Sequence, residues 1–358
     1  MDLKTGFLGF VICFVCSNLW PHSFGGAERR YYEFAAELLR RGREVLYITY
    51  SWGPSDVPLA SLGPPPRLYD GAGRRRLWPA LQFAFAVRRV VEKAGCRVID
   101  ASVPYTEVFL LPRERTVLTL HEFWGRRWRE YFGPLVGRSV EWAERRMVLR
   151  PRAVVVPSRL TAERVRRVRK DAYVIPFGLR LEDYLKYRGA GKEFDVVVVS
   201  RLVPYKGVRG ALAALRLVER RLKVAVVGNG PLLDEFRREA VRGRHAFHLY
   251  SSASEEEKRR IVANSVYYLN MSPAEGFSIA TLEAAALGAY PVVLRSEHSA
   301  AVELVEALGY GAAVTTPEEA AAVISADHVP EPPTAPLWRY HIANVVDQYE
   351  KIINDILY

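Results

Sequence analysis

Twice along this chain, short apolar runs alternate with longer stretches in which apolar residues recur every three to four positions. Parallel strands need a crossover between them, and a helix is the usual crossover, so this alternation predicts parallel α/β sheets. In the first half, strands are expected at 6–16, 44–50, 97–101, 116–120, 153–156 and 172–175. Between the first two, Ala27, Tyr31, Phe34, Ala35, Leu38 and Leu39 follow helical spacing, and Gly42 stops the helix. A second series places strands at 194–200, 222–227, 246–250, 266–270 and 290–294. With 358 residues there is room for two domains of ordinary size.

The joint is expected at Tyr184 to Lys192, which has two glycines and no periodicity, so that residues 1–187 form one domain and 194–335 another. A proline-rich connector, Pro330 to Pro336, precedes one amphipathic helix over Trp338 to Leu357. Residues 54–79, with prolines, glycines and Arg74-Arg75-Arg76, read as a long surface excursion. The apolar run Gly6 to Ser17 has 12 residues, against about 20 for a helical membrane span, and reads as a buried first strand.

Net charge is +11, placed unevenly: residues 1–180 carry 31 Lys and Arg against 17 Asp and Glu, and residues 181–358 carry 20 against 23. The basic excess of the first half suggests an anionic partner, whether nucleic acid, phosphorylated ligand or membrane surface; the plainer reading is an arginine-favouring proteome. The three cysteines, Cys13, Cys16 and Cys96, are too few for a disulfide framework, and Cys13 and Cys16 read as buried thiols. A reducing, cytoplasmic setting is expected, with the chain peripheral on the inner membrane face as an extension of that reading.

Three places carry chemistry. The first is Phe24-Gly25-Gly26-Ala27-Glu28, between strand and helix, where glycines allow close backbone approach and a helix start favours phosphate; a tight turn alone explains it as well. It is not the three-glycine dinucleotide pattern, and Gly228-Asn229-Gly230 lacks the third glycine too, which disfavours a nicotinamide dehydrogenase. The second is Ser200-Arg201-Leu202-Val203-Pro204-Tyr205-Lys206-Gly207 at a strand end, where two cations five residues apart can reach a diphosphate. The third is Pro273-Ala274-Glu275-Gly276-Phe277-Ser278-Ile279-Ala280-Thr281-Leu282-Glu283. There a helix begins inside the motif, so backbone N–H groups at Gly276 to Ile279 face any phosphate, and Glu275 and Glu283 stand roughly two helical turns apart.

Taken in order, these motifs resemble the family 4 glycosyltransferases of GT-B fold, over nearly the whole chain, with the paired glutamates plus the upstream Arg and Lys as the specific part. The resemblance implies two facing Rossmann-like doubly wound domains, with a C-terminal helix, residues 336–358, crossing back to the first. It implies that Gly25, Gly26 and Gly230 meet the donor, that Arg201 and Lys206 neutralise the departing diphosphate, and that Glu283 holds ribose hydroxyls. Glu275 would contact the transferred sugar, Gly276, Phe277, Ser278 and Ile279 would offer backbone contacts, and His121 would touch the sugar. Two departures stand out: Glu122 follows His121 where the family often has Asp, and Ser296 to Glu303 lacks the glycine pair common before a later glutamate.

Departure of a nucleoside diphosphate develops negative charge, and no Asp-x-Asp is present to hold a metal. Arg201, Lys206 and helix starts could supply that field, so no metal and no cofactor are expected. The expected activity is a retaining, metal-independent hexosyl transfer from a nucleotide-diphosphate sugar to a glycan, lipid-linked or small hydroxyl acceptor, with peripheral contact to anionic membrane as a further partner. A nucleotide-sugar epimerase or hydrolase of the same fold, a basic nucleic-acid-binding protein and a silent scaffold remain the alternatives.

Overall fold

The computed structural model describes residues 11–22, 25–68, 76–189, 191–326 and 328–357. The chain divides into two compact units, residues 1–178 with 342–358, and residues 179–341. In the first unit the strands are β1 (Val11–Val15), β2 (Val45–Thr49), β3 (Leu59–Ser61), β4 (Cys96–Ala101), β5 (Thr116–Thr119), β6 (Ala153–Val156) and β7 (Tyr173–Val174). They pair in parallel in the order β3-β2-β1-β4-β5-β6-β7. Valines and isoleucines dominate because both faces are covered, which a parallel sheet requires. The 26–40 and 342–357 helices pack on one face, and the 77–94, 134–149 and 159–166 helices on the other.

The second unit holds β8 (Phe194–Val199), β9 (Lys223–Val227), β10 (Ala246–Tyr250), β11 (Ser265–Asn270), the short β12 (Ala274–Glu275), β13 (Tyr290–Leu294), the short β14 (His298–Ser299) and β15 (Ala312–Val314). Its main sheet runs β10-β9-β8-β11-β13-β15, again parallel, while β12 and β14 pair separately. In both sheets the strand order turns back on itself beside the first strand, between β1 and β4 and between β8 and β11. Chain connections leave in opposite directions at such a point, which opens a crevice outside the carboxyl ends of those strands.

Several expectations are corrected. The chain passes into the second unit at Leu179, ahead of the glycine-rich stretch. Residues 180–188 are fixed there because Tyr184 donates to Glu283 and Arg188 donates to the carbonyls of Ala285 and Ala286. The terminal helix starts at Ile342, not Trp338: His341 is extended, Leu179 N–H bonds the Tyr340 carbonyl, and the six residues before it form a 3₁₀ turn. Leu59–Ser61, inside the supposed excursion, extends the sheet edge, and Leu77 opens a helix; Arg74 and Arg75 lie outside the described residues, as do residues 6–10 of the first strand.

Cysteine usage is also revised. Cys13 on β1 and Cys96 on β4 form a disulfide with Cα atoms 5.7 Å apart, while Cys16 is a buried thiol beside Tyr47. Adjacent strands bring the pair together across 83 residues of sequence, which spacing alone could not reveal. The cysteines therefore no longer argue for a reducing compartment. Among the described residues no helix is long and apolar enough to cross a membrane.

Candidate functional site

Both crevices carry the residues that the sequence singled out. In the second unit, β8 ends at Val199 and the chain turns through Arg201 and the 3₁₀ turn Pro204–Lys206 into the 208–217 helix. Gly207 makes that turn. Its φ is +67°, and a Cβ there would lie 1.8 Å from the Met271 carbonyl oxygen, so a larger residue would push the turn off β11. Arg201 is exposed, with its guanidinium 5.7 Å from the Tyr205 ring centroid. Lys206 is half-buried, and its Nζ donates to Glu275 Oε1 at 2.9 Å. Gly230 closes the tight turn after β9, beside the Leu202 carbonyl.

Glu275 comes from the other side of the same crevice, beyond β11. It is held in β12, paired with β14 through Ser299, and its carbonyl accepts from Ala300 N–H at 2.8 Å. The chain then passes Gly276 and the buried Phe277 to Ser278, which caps the 279–287 helix. Ser278 has φ +71°, a left-handed conformation uncommon outside glycine. Its hydroxyl is tied to Asn270 Nδ2 at 3.0 Å and Thr281 Oγ1 at 2.8 Å. These ties hold a strained residue at the helix start, and strain of this kind collects where a backbone is aimed at a ligand. Ile279 opens the helix, so its first N–H groups point out of the helix end without helical acceptors.

Glu283, one turn on, is buried. It accepts from Tyr184 Oη at 3.0 Å and lies 3.4 Å from Lys258 Nζ. Its surroundings, Ala284 to Ala286, are buried too, which explains the run of small residues after it. Tyr268 on β11 was missed by the sequence reading. It is buried beneath the motif, bonded to Ser278 and Thr281, and burial together with the charges of Glu275 and Glu283 holds its phenol well above the ordinary range. Only its place at the end of an apolar strand signalled it.

In the first unit, Gly25 is the cap of the 26–40 helix and Gly26 its first residue. Glu28 folds back over that cap and accepts from Asn18 Nδ2 at 2.8 Å; a Cβ on Gly25 would lie 2.0 Å from its carboxylate. Phe24 lies outside the described residues. His121 follows β5, with Nε2 2.9 Å from Ser102 Oγ beyond β4 and its ring edge-on to Tyr31 and Phe177. Burial, then the nearby Arg30 guanidinium, holds its pKa well below the usual value, so the ring is neutral at pH 7. Glu122 turns away and binds Trp124 Nε1 at 2.7 Å and Arg127 at 2.8 Å, a role in shaping the loop.

Behind His121 lies a buried charged cluster. Asp100 on β4 accepts from Tyr31, Tyr349 and, at 2.9 Å, Thr119. Arg30 lies near Asp100, with its guanidinium 4.1 Å from the Phe34 ring centroid. Burial lowers the Arg30 pKa and raises that of Asp100, while their mutual attraction opposes both shifts. Arg30 falls three residues after Ala27 and four before Phe34, so a charge on the apolar stripe of the helix was the signal for it. Among the described residues no group of three His, Cys, Asp or Glu side chains could hold a metal ion.

Comparison with known proteins agrees with this layout. The model of Glycosyltransferase Family 4 matches residues 24–183, and that of Glycosyl transferases group 1 matches residues 184–327. The O-antigen chain mannosyltransferase C of Escherichia coli is 23% identical, with 76% of each chain covered. Among solved structures, HepE of Anabaena in complex with UDP-glucose superposes with a TM-score of 0.71 at 16% identity, covering 97% of this chain and all of that one. Sucrose-phosphate synthase of Thermosynechococcus elongatus gives 0.68 at 16% identity over 98% and 96%. With two parallel-sheet units of GT-B type and family models that meet end to end across residues 24–327, the chain belongs to the family 4, group 1 glycosyltransferases.

Proposed function

We propose that this glycosyltransferase moves a hexosyl group from a nucleotide-diphosphate sugar to a hydroxyl acceptor, with retention at the anomeric carbon and without a metal ion. The carrying observation is the contact of Lys206 with Glu275 at the β8–β11 crevice, beside the start of the 279–287 helix. A cation, a helix start and a carboxylate there match what a departing diphosphate and a polar sugar require. The nucleotide-sugar reading is supported by the UDP-glucose held by HepE, and the hexosyl reading by a mannosyltransferase among the relatives.

On this reading Arg201 and Lys206 take up charge as the glycosidic oxygen leaves with the diphosphate, and the backbone of Gly276 to Ile279 binds phosphate. Glu275 orients the sugar hydroxyls, Glu283 the ribose, and neutral His121 offers one ring nitrogen to the sugar. Gly25, Gly26 and Gly230 keep the turns slim enough for close approach. No carboxylate here is assigned as a covalent nucleophile, so the acceptor hydroxyl attacks the face that the diphosphate leaves, giving retention. The acceptor is a glycan, a lipid-linked sugar or a small alcohol.

A thermal-shift screen across uridine, guanosine and adenosine diphosphate sugars tests the reading. A donor at 100-fold over its dissociation constant stabilises by about 2.7 kcal/mol, a shift of a few degrees. The product of the donor found is then examined by NMR for its anomeric configuration. Absence of any shift counts against a nucleotide-sugar donor, and an inverted product against the front-face route.

A further inference from the structure

The first unit keeps large apolar side chains in solvent on helices that it also uses to cover its sheet. The 77–94 helix buries Phe83, Val87 and Val91, yet Trp78, Leu81 and Phe85 point away from them, Trp78 being 66% and Phe85 58% exposed. The 134–149 helix behaves alike. Leu135 is 82% and Trp142 61% exposed, and with Leu149 they recur every seven residues along one line. Both helices pack into the same core on the same sheet face. The turn Thr106–Phe109 ties them, since Thr106 Oγ1 donates to the Ala80 carbonyl at 2.7 Å and Arg150 Nε to that of Val108 at 2.9 Å. A helix covering a sheet ordinarily shows water its polar side, so two neighbouring apolar outer faces call for something to cover them.

Charge says what. On these helices Arg88, Arg89, Lys93, Arg138, Arg145 and Arg146 are exposed, and Arg146 lies 5.3 Å from the Trp142 ring centroid. Glu92 is the exposed carboxylate among them, while Glu141 and Glu144 are buried. Cations spaced among protruding aromatic and leucine side chains fit an interface in which headgroups meet the charges and rings enter the acyl boundary. A second copy would set like charges against each other, and a nucleic acid would leave Leu135 and Phe85 uncovered. Both helices precede parallel strands, so their first turns lie at the carboxyl edge of the sheet, the edge that carries Gly25 and His121.

We propose that the outer faces of the 77–94 and 134–149 helices dock this protein on an anionic lipid bilayer. This does not depend on which sugar is transferred. The aromatic side chains of Trp124, Trp128, Tyr131 and Phe132, by contrast, pack on one another and are only partly exposed, so they are not the docking contact.

Co-sedimentation with vesicles of phosphatidylcholine alone and of equimolar phosphatidylcholine and phosphatidylglycerol tests it. The full chain should pellet with the anionic vesicles only, and less so at high salt. Trp78→Ser, Phe85→Ser and Trp142→Ser together should abolish pelleting. Arg88→Gln, Arg89→Gln and Arg146→Gln together should weaken it on the order of 100-fold. Donor turnover in solution should be unchanged in both variants, so that docking and transfer are read separately. Indifference to both vesicle types overturns the proposal. So does unaltered binding by the Trp/Phe variant, which would mark mere charge attraction, or a self-association in the ultracentrifuge that the same changes abolish.

Discussion

Lys206 Nζ and Glu275 Oε1 lie 2.9 Å apart, joining residues 69 positions distant, one in the turn that follows β8 and the other in β12, beyond β11. The cation assigned to the leaving group thus already has a partner in the carboxylate assigned to the sugar. Each orients the other, and neither can be removed without releasing the second.

Lys206→Ala should therefore lower turnover by about 100- to 1000-fold, the usual loss of one preorganised donor to developing charge, or about 2.7–4 kcal/mol. Glu275→Gln should also slow the reaction, and the double variant should lose less than the product of the two factors. Steady-state donor turnover in all four proteins measures this. Fully multiplicative losses would mean that the pair does not act as a unit.

On the proposed reading, in which Arg201, Lys206 and the start of the 279–287 helix supply the positive field, activity should survive EDTA. Loss with EDTA that magnesium or manganese restores would overturn the proposed roles of both cations.

Glu283 leads to a more graded expectation. Its carboxylate is shared between Tyr184 and Lys258, so Tyr184→Phe removes one bond while leaving the charge in place. That change should weaken nucleoside diphosphate binding only a few-fold, at about 1 kcal/mol for one hydrogen bond. Glu283→Ala should weaken it more, and by similar factors in ground state and turnover, since the ribose contact proposed for it would persist throughout. Calorimetry with the diphosphate checks the order of the two effects; equal, unchanged affinities would put Glu283 outside donor binding.

Much of this was legible before any coordinates. The helical stripe from Ala27 to Leu39, the valine-rich strands and the glutamate motif all depend on local spacing, and the structure puts them where that spacing says. What escaped depended on contacts distant in sequence. Cys13 meets Cys96 because β1 and β4 are neighbours, and Tyr184 falls in the second unit, where its hydroxyl donates to Glu283 across 99 residues of sequence. The apolar outer faces escaped for a different reason. Trp78 and Phe85 sit among apolar residues on a helix where periodicity cannot tell which side is inside.

Glu144 gives a pH signature. Its buried carboxylate accepts from the N–H groups of Trp124 and Gly125 at 2.9 and 2.7 Å, just beyond His121, and burial pushes its pKa up to about 7 in spite of those bonds. The folded state therefore holds a proton that the unfolded chain releases near pH 4.3. The stabilisation is fully present below the unfolded value and is lost as pH rises through about 7, by roughly 3–4 kcal/mol in all. Glu144→Gln should remove that part of the slope. Urea unfolding of both proteins from pH 4.5 to 8 measures it, and parallel curves would mean that Glu144 does not titrate in this range.

The last expectation concerns the cluster that anchors the terminal helix. Asp100 accepts from Tyr31 of the 26–40 helix, from Thr119 of β5 and from Tyr349 of the 342–357 helix, so one buried carboxylate binds three elements to β4. Its charge also offsets Arg30, which is as deeply buried. Asp100→Asn keeps the shape but takes the nearby negative charge away from that guanidinium, whose nitrogens have no hydrogen-bond partner of their own among the described residues, and leaving a buried charge uncompensated costs up to about 3–5 kcal/mol. Tyr349→Phe removes only a hydroxyl, and should cost about 1–2 kcal/mol. If the Asp100 penalty comes from the stranded charge and not from lost hydrogen bonds, removing the charge should recover much of it. Arg30→Met with Asp100→Asn should then be more stable than Asp100→Asn alone, although two residues have been changed. Denaturant midpoints of the three variants at pH 7 decide it: a double variant no more stable than the single one would mean that the hydrogen bonds to Asp100, and not its charge, hold the helix in place.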